Sequence, residues 1–338
     1  MKRAGGLFAR AFTLESLHQG YLDARKGKRA THACYQFERH LGAHLGALHA
    51  ALQDGSYQPL PYNTFQVFEP KPRLIYAPAF RDRVVQHAIY RLIQPIFDAT
   101  FIDQSFACRP GKGTHAAADY VQSALQQAGS DSYLLQLDIR KFYYRINRQV
   151  LRALIERKIK DWRLVDVMMM FADQGELVGV PIGNLLSQIY ALIYLNPMDH
   201  FIKRELKVRH YARYVDDFIL IGITRDEALA YRAAIVRFLD ERLGLELSKS
   251  IIARVRHGTN FVGYRTWASR RFVRRHALYT YRRALFSGRV ESVVSSLGNA
   301  RRTASYHHML NQAKDHHGLY CQLPESMRRS FNIRAARS

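Results

Sequence analysis

Two acidic residues, Asp216 and Asp217, stand side by side in RYVDDFILIG (213–222), between a Tyr-containing stretch and the apolar run FILI. A third, Asp138, closes the apolar run YLLQL. Adjacent carboxylates repel each other, so the pair calls for a solvated turn, where Asp is a good turn former, or for a bound cation. Both readings are open on RYVDDFILIG alone. If the acids hold cations, the fitting chemistry is two-metal nucleotidyl transfer, in which two divalent ions about 3.5–4 Å apart serve the attacking hydroxyl and the triphosphate. Hard Mg²⁺ takes carboxylate oxygens and keeps water and phosphate oxygens in its shell, so two or three carboxylates suffice. One Asp at a strand end and a pair on a hairpin would supply that set without crowding three like charges into one loop.

The rest of the chain must position these acids. Phe37, Leu41, Leu45, Leu48 and Leu52 recur at helical spacing over 36–53, and DGSYQPLPYN then breaks the pattern. TFQVFEPKPRLIYAP reads as two short strands around a Pro-bounded turn, and Val84 to Ile96 as an amphipathic helix. THAAADYVQSALQQAG is a helix, YLLQLDI a buried strand, and INRQVLRALIERKI a return to helical period. GVPIGNLLSQIYALIYL turns into an apolar helix; RYVDDFILIG, the helix DEALAYRAAIVRFLDERLG and a strand at FVGYRTW follow, with a mostly helical tail from Arg275. Strands interleaved with helices predict an α+β fold with the acids at strand ends. No internal repeat and no low-complexity linker marks a boundary.

At 338 residues, 48% of them apolar, the chain has ample core for two or three subdomains. Its formal net charge of +23 implies a polyanionic partner, and nucleic acid is the commonest one for a folded, aromatic-rich basic protein. The charge is concentrated. From Arg254 to Ser338 there are 17 Lys or Arg, 16 of them Arg, against Glu291, Asp315 and Glu325. Arg suits bidentate phosphate contact, although a solvated helical face can also be Arg-rich. No apolar run approaches the ~20 residues that span a bilayer, and the N-terminus lacks the apolar core of a signal peptide, so no membrane partner and a cytoplasmic setting are expected. Cys34, Cys108 and Cys321 are odd in number and widely spaced, which predicts neither a disulfide framework nor a zinc site. RPGKG (109–113) lacks the spacing of a phosphate loop and reads as a turn.

Four motifs in order, covering roughly residues 60–265, resemble the reverse transcriptases: LDIRKFYYRI around Asp138, GNLLSQ (183–188), YVDD (214–217) and FVGYR (261–265), the last like a primer-gripping hairpin. Many bacterial relatives, including group II intron enzymes, carry Gln-Gly-x-x-x-Ser-Pro where this chain has Ile182, Gly183, Ser187 and Gln188. Ile-Gly-x-x-x-Ser-Gln is instead the pattern of diversity-generating retroelement reverse transcriptases. KPRLIYAPAFRDRVVQHAI, FACRPGKGTHAA and HYARYVDD resemble that group too. The resemblance implies an RNA-dependent DNA polymerase copying a template-repeat RNA into error-prone cDNA for mutagenic retrohoming, encoded by a bacterium or phage. It implies a right-hand fold without an RNase H domain: an N-terminal extension and fingers over 1–130, a palm over 131–274 with an interleaved fingers segment at 142–195, and a basic helical thumb over 275–338. Rival readings are a retron-like or group II intron-derived reverse transcriptase, against which Ile182, Gln188 and the lack of a maturase or endonuclease extension count, and a non-catalytic RNA-binding scaffold.

Residue by residue, the resemblance makes Asp138, Asp216 and Asp217 catalytic. It places two Mg²⁺, or Mn²⁺, on Asp138, Asp216, Asp217 and the Ile139 carbonyl. Lys71 and Arg73 would grip the triphosphate, although KPR can also be an ordinary edge strand. Tyr143 would be the aromatic gate beneath the sugar, with core packing as the alternative, while Ile182, Gly183 and Gln188 would border the nucleotide. Lys249 would assist the leaving pyrophosphate, unless it is simply a solvated lysine. Implied partners are template RNA and cDNA, deoxynucleoside triphosphates and a small basic oligomeric accessory protein.

Overall fold

The computed structural model describes residues 3–68, 72–176 and 178–328. The elements run in chain order. Four helices come first, α1 (Leu7–Ala11), α2 (Leu14–Ala24), α3 (His32–Arg39) and α4 (Leu41–Asp54), then β1 (Asn63–Val67), β2 (Arg73–Ala77) and α5 (Phe80–Asp98). Next are α6 (Thr114–Gln127), β3 (Tyr133–Ile139), α7 (Phe142–Arg145), α8 (Arg148–Glu156), α9 (Trp162–Ala172) and α10 (Leu185–His200), which continues as a π-helical turn, Phe201–Glu205. The chain then forms β4 (His210–Tyr214), β5 (Asp217–Ile223), α11 (Arg225–Leu243), β6 (Leu247–Arg254), β7 (Thr259–Phe261), β8 (Tyr264–Thr266) and β9 (Arg271–Val273). Four helices follow, α12 (Arg275–Phe286), α13 (Val290–Ala300), α14 (Tyr306–Lys314) and α15 (His317–Cys321).

These elements form two compact units. The first comprises Met1–Arg109, Leu137–Val208 and Tyr231–Ser250, and the second Pro110–Gln136, Arg209–Ala230 and Ile251–Ser338. Three sheets are present among the described residues: the β1–β2 ribbon, a four-stranded sheet ordered β4-β5-β3-β6, and a three-stranded β7-β8-β9 sheet.

In the first unit α10 is the central helix. Leu186, Ile189, Tyr190, Ile193, Tyr194 and Leu195 bury nearly completely, which its apolar sequence on all sides requires. The buried phenols each find an acceptor, Tyr190 Oη donating to the Met168 carbonyl at 2.6 Å and Tyr194 Oη to the Leu243 carbonyl at 2.6 Å. Helical spacing over 36–53 predicts one helix, but the structure has two, broken at His40 (φ −129°, ψ 43°). The apolar positions keep their period across the break. Leu45, Leu48 and Leu52 of α4 and Phe37 of α3 are all buried, so a pattern that measures only burial passes over the kink.

In the second unit, α12, α13 and α14 share one core: Tyr281, Leu285, Val293, Leu297, Met309 and Leu310 lie within it, together with Tyr264 of β8. The stretch FVGYRTW, a strand by its pattern and a hairpin at FVGYR by the resemblance, turns at Val262-Gly263 so that Phe261 pairs with Tyr264, and β8 pairs in turn with β9. Among the described residues no helix is long and apolar enough to cross a membrane.

Candidate active site

In the second unit, β4 and β5 pair antiparallel, with Tyr214 opposite Asp217 and a two-residue loop of Val215 and Asp216. The backbone of Val215 lies at φ +56°, a region that β-branched residues avoid at a cost of about 1–3 kcal/mol. Such a loop persists only if its surroundings hold it. Arg213, fully buried on β4, donates from Nη1 to the Val215 carbonyl at 3.0 Å, and Phe218 to Leu220 anchor β5 in the core. Asp216 and Asp217 are half-buried at the tip.

The Asp217 carboxylate accepts a 3.0 Å hydrogen bond from Gln136 Nε2. Gln136 lies on β3 and is 3% exposed, flanked by the buried Leu135 and Leu137.

In the first unit, Asp138 is half-buried and accepts a short hydrogen bond from Ser248 Oγ of β6, while Ile139 beside it is buried. Arg140 and Arg145 pair with Glu246, at 3.3 and 2.9 Å. Those ion pairs hold Glu246 below the usual carboxylate range, the hydrogen bond from Arg145 contributing most.

The first unit also brings together three of the expected nucleotide-binding segments. The loop from Gly179 to Gly183 is stitched on one side to α7, where Val180 N–H donates to the Tyr143 carbonyl at 2.9 Å, and Gly179 N–H to the Ile146 carbonyl just beyond, at 2.8 Å. On the other side Tyr76 N–H of β2 donates to the Ile182 carbonyl at 2.7 Å. Tyr143 and Ile182 are half-buried, and Arg73 at the start of β2 and Gln188 on α10 are exposed. Lys71 lies outside the described residues. Gly183 sits at φ +105°, and a Cβ there would come within 2.7 Å of Ile75 Cγ2. Its lack of a side chain is therefore used against β2, a constraint that a sequence motif cannot distinguish from clearance for a ligand.

Behind the loop, Asn184 caps α10 by accepting from Leu186 N–H at 2.9 Å and donates to Tyr62 Oη and the Phe171 carbonyl, both at 3.0 Å. Burial pushes the Tyr62 phenol up to about 12, so it stays protonated and donates to the same Phe171 carbonyl at 3.1 Å. Gln136, Ser248, Arg213 and Asn184 are the supports that motif reading passes over. The visible signal was a Gln or Arg inside an otherwise apolar strand, where a buried polar group is costly unless bonded.

The acids suit a hard divalent cation: all are oxygen donors, and each is only partly buried, so water and substrate oxygens can complete a shell. Among the described residues no group of three or more His, Cys, Asp or Glu side chains is gathered at metal-binding separation. A cleft of about 640 Å³ in the first unit, lined by Phe97, Leu154, Asn196 and Arg204 among others, contains none of the motif residues.

Residues 68–266 match the family described as reverse transcriptase (RNA-dependent DNA polymerase). Protein YkfC of Escherichia coli K12 is 27% identical over 274 residues, covering 67% of this chain and 71% of YkfC. The group II intron-encoded protein LtrA of Lactococcus lactis is 28% identical over 164 residues, 45% of this chain but only 27% of LtrA. In fold, the chain is similar to apo telomerase from Candida tropicalis, with a TM-score of 0.51 at 15% identity, over 82% of this chain and 59% of the telomerase. With the family's region spanning β2 to β8 and the YVDD loop at its heart, the chain belongs to the reverse transcriptase family.

Proposed function

We propose that the chain is a diversity-generating retroelement reverse transcriptase, copying a template-repeat RNA into error-prone cDNA for mutagenic retrohoming. The observation that carries the subgroup is the segment Ile182-Gly183-x-x-x-Ser187-Gln188, with the Ile182 backbone bonded to β2. Asp138, Asp216 and Asp217, with the Ile139 carbonyl, hold Mg²⁺, or Mn²⁺ in its place. When bound, the ions activate the primer 3′-hydroxyl and neutralise charge on the triphosphate. Arg73 and Lys71 attract the triphosphate, Tyr143 stands beneath the sugar, and Ile182, Gly183 and Gln188 border the base pair. In this reading an N-terminal extension and fingers span 1–130, a further fingers segment spans 142–195, the remainder of 131–274 is palm, and 275–338 is a thumb whose arginines carry template RNA and cDNA. A small basic oligomeric accessory protein completes the working enzyme.

The similarity to LtrA favours a second reading, a group II intron-like reverse transcriptase that copies faithfully. Primer extension on a primed RNA template with the four deoxynucleotides and Mg²⁺, followed by sequencing of the cDNA, separates the two. Errors concentrated opposite template adenines, the bias that the resemblance to diversity-generating retroelement enzymes implies, support the retroelement reading. Uniformly low error at all four bases overturns it in favour of the second, and absence of any extension would sink both.

A further inference from the structure

We infer that Gln136 is a positioning residue that sets the Asp217 carboxylate and locks it to the β7–β8 hairpin; the inference rests on the metal-holding role proposed for Asp217. Three hydrogen bonds engage both amide protons and the amide oxygen. Nε2 donates to Asp217 Oδ1 at 3.0 Å and to the Asn260 carbonyl of β7 at 2.8 Å, while Oε1 accepts from Thr259 Oγ1 at 3.3 Å. The amide orientation is fixed by these partners, because a flipped Gln136 would turn its oxygen toward a carboxylate and a carbonyl, neither of which can donate.

The position argues the same way. Gln136 is 3% exposed in the strand YLLQLDI, where an apolar residue would satisfy packing at no desolvation cost. What Leu could not do is donate to two acceptors on two different hairpins. Asp217 opens β5 directly after the strained Val215-Asp216 loop, and Asn260 precedes the Val262-Gly263 turn of β7–β8 by two residues. One buried side chain thus fixes the distance between the acid loop and the hairpin that the family resemblance associates with gripping the primer. Groups that orient a ligand in this way typically matter 10–100-fold to metal affinity or activity.

The test compares the full-length protein with Gln136→Leu, Thr259→Val and the Asp216→Asn reference in single-nucleotide primer extension over a Mg²⁺ titration, with thermal melting of each as a check on folding. Gln136→Leu is expected to lower the extension rate roughly tenfold or more and to raise the half-saturating Mg²⁺ concentration, with the KM for deoxynucleotide changed less. Thr259→Val, which loosens the amide without removing its donors, should shift the Mg²⁺ requirement in the same direction by a smaller factor. A folded Gln136→Leu protein with unchanged rate and Mg²⁺ requirement overturns the inference. If Gln136→Leu fails to fold, Thr259→Val decides: an unchanged Mg²⁺ curve overturns the inference, and a shifted one supports it. Activity surviving in Asp216→Asn would instead refute the metal assignment itself, which separates the two failures.

Discussion

The acid loop and the C-terminal helices, both in the second unit, solve opposite electrostatic problems. At the β4–β5 loop, two carboxylates are held in place by a backbone at positive φ, a fully buried arginine and a buried amide. On α12 to α14, the apolar faces pack together and the arginines are left outside: Arg274, Arg275, Arg282, Arg289 and Arg301 are exposed and form no ion pair among the described residues. Asp119 occupies Arg271 and Arg302, at 2.8 and 2.9 Å, and so removes two cations from that surplus. Chemistry requires a few charges placed to within fractions of an ångström, whereas attraction to a polyphosphate requires many charges and little placement. The loop should therefore fail at a single substitution, and the helices only gradually.

The sharpest break in that contrast is Asp216→Asn. An amide keeps the shape of the side chain but not the anionic oxygen, so deoxynucleotide incorporation is expected to fall by roughly 1000-fold, corresponding to about 4 kcal/mol. RNA affinity in a filter-binding or anisotropy assay should stay within about twofold. Substantial extension by the variant, or a large loss of RNA binding, would erase the division between the two regions.

Neutralising the helices tests the other side. The triple variant Arg275→Ala, Arg282→Ala, Arg289→Ala should weaken RNA binding about 10–100-fold near physiological salt and make the slope of log affinity against log salt shallower by about 2–3. The extension rate at saturating RNA should be little changed. A slope equal to that of the wild type would show that these arginines do not face phosphate.

Tyr143→Ala asks whether placement extends to the sugar. The ring is half-buried beside Phe142, centroids 5.5 Å apart, and its backbone carbonyl holds the 179–183 loop, so the substitution removes the ring but not that bond. The ratio of ribonucleotide to deoxynucleotide incorporation is expected to rise about tenfold, roughly the discrimination that one lost contact carries. A folded variant with an unchanged ratio would return Tyr143 to a packing role.

How much of this was legible in the sequence differs between the same two regions. The arginine surplus and the helical period of the tail are composition and pattern, and both survive intact in α12 to α14. The YVDD loop was legible as a motif, FILI as part of the strand that follows it, and YLLQLDI as the separate strand that carries Asp138. The supports were not: the reach of Gln136 from β3 to Asp217 and Asn260 joins residues far apart in sequence, and periodicity carries no information about such pairs. The break at His40 escaped for a related reason, since the apolar faces of α3 and α4 stay in phase across it. Gly183 was legible as a glycine but not for its reason, because Ile75 meets it only after folding.

The smallest expected effect belongs to Ile182, where placement shades into selectivity. Its carbonyl is bonded to Tyr76 N–H of β2 and its neighbour Gly183 is packed against Ile75, so the backbone holds its course whatever the side chain. That makes the side chain a clean variable. A Gln amide at this position can donate to and brace a nucleotide or a neighbouring group, whereas Ile offers only a branched apolar surface. Discrimination is a difference in transition-state binding, and one polar contact of about 1 kcal/mol corresponds to several-fold in accuracy. Bracing should matter most where the correct pair is held most weakly, so Ile182→Gln is expected to lower misincorporation opposite template adenine several-fold and opposite the other three bases less. Sequencing cDNA made by wild type and variant on one mixed RNA template measures this directly. An equal change at all four bases, or none, would overturn an adenine-selective role for this side chain and leave Ile182 a packing residue.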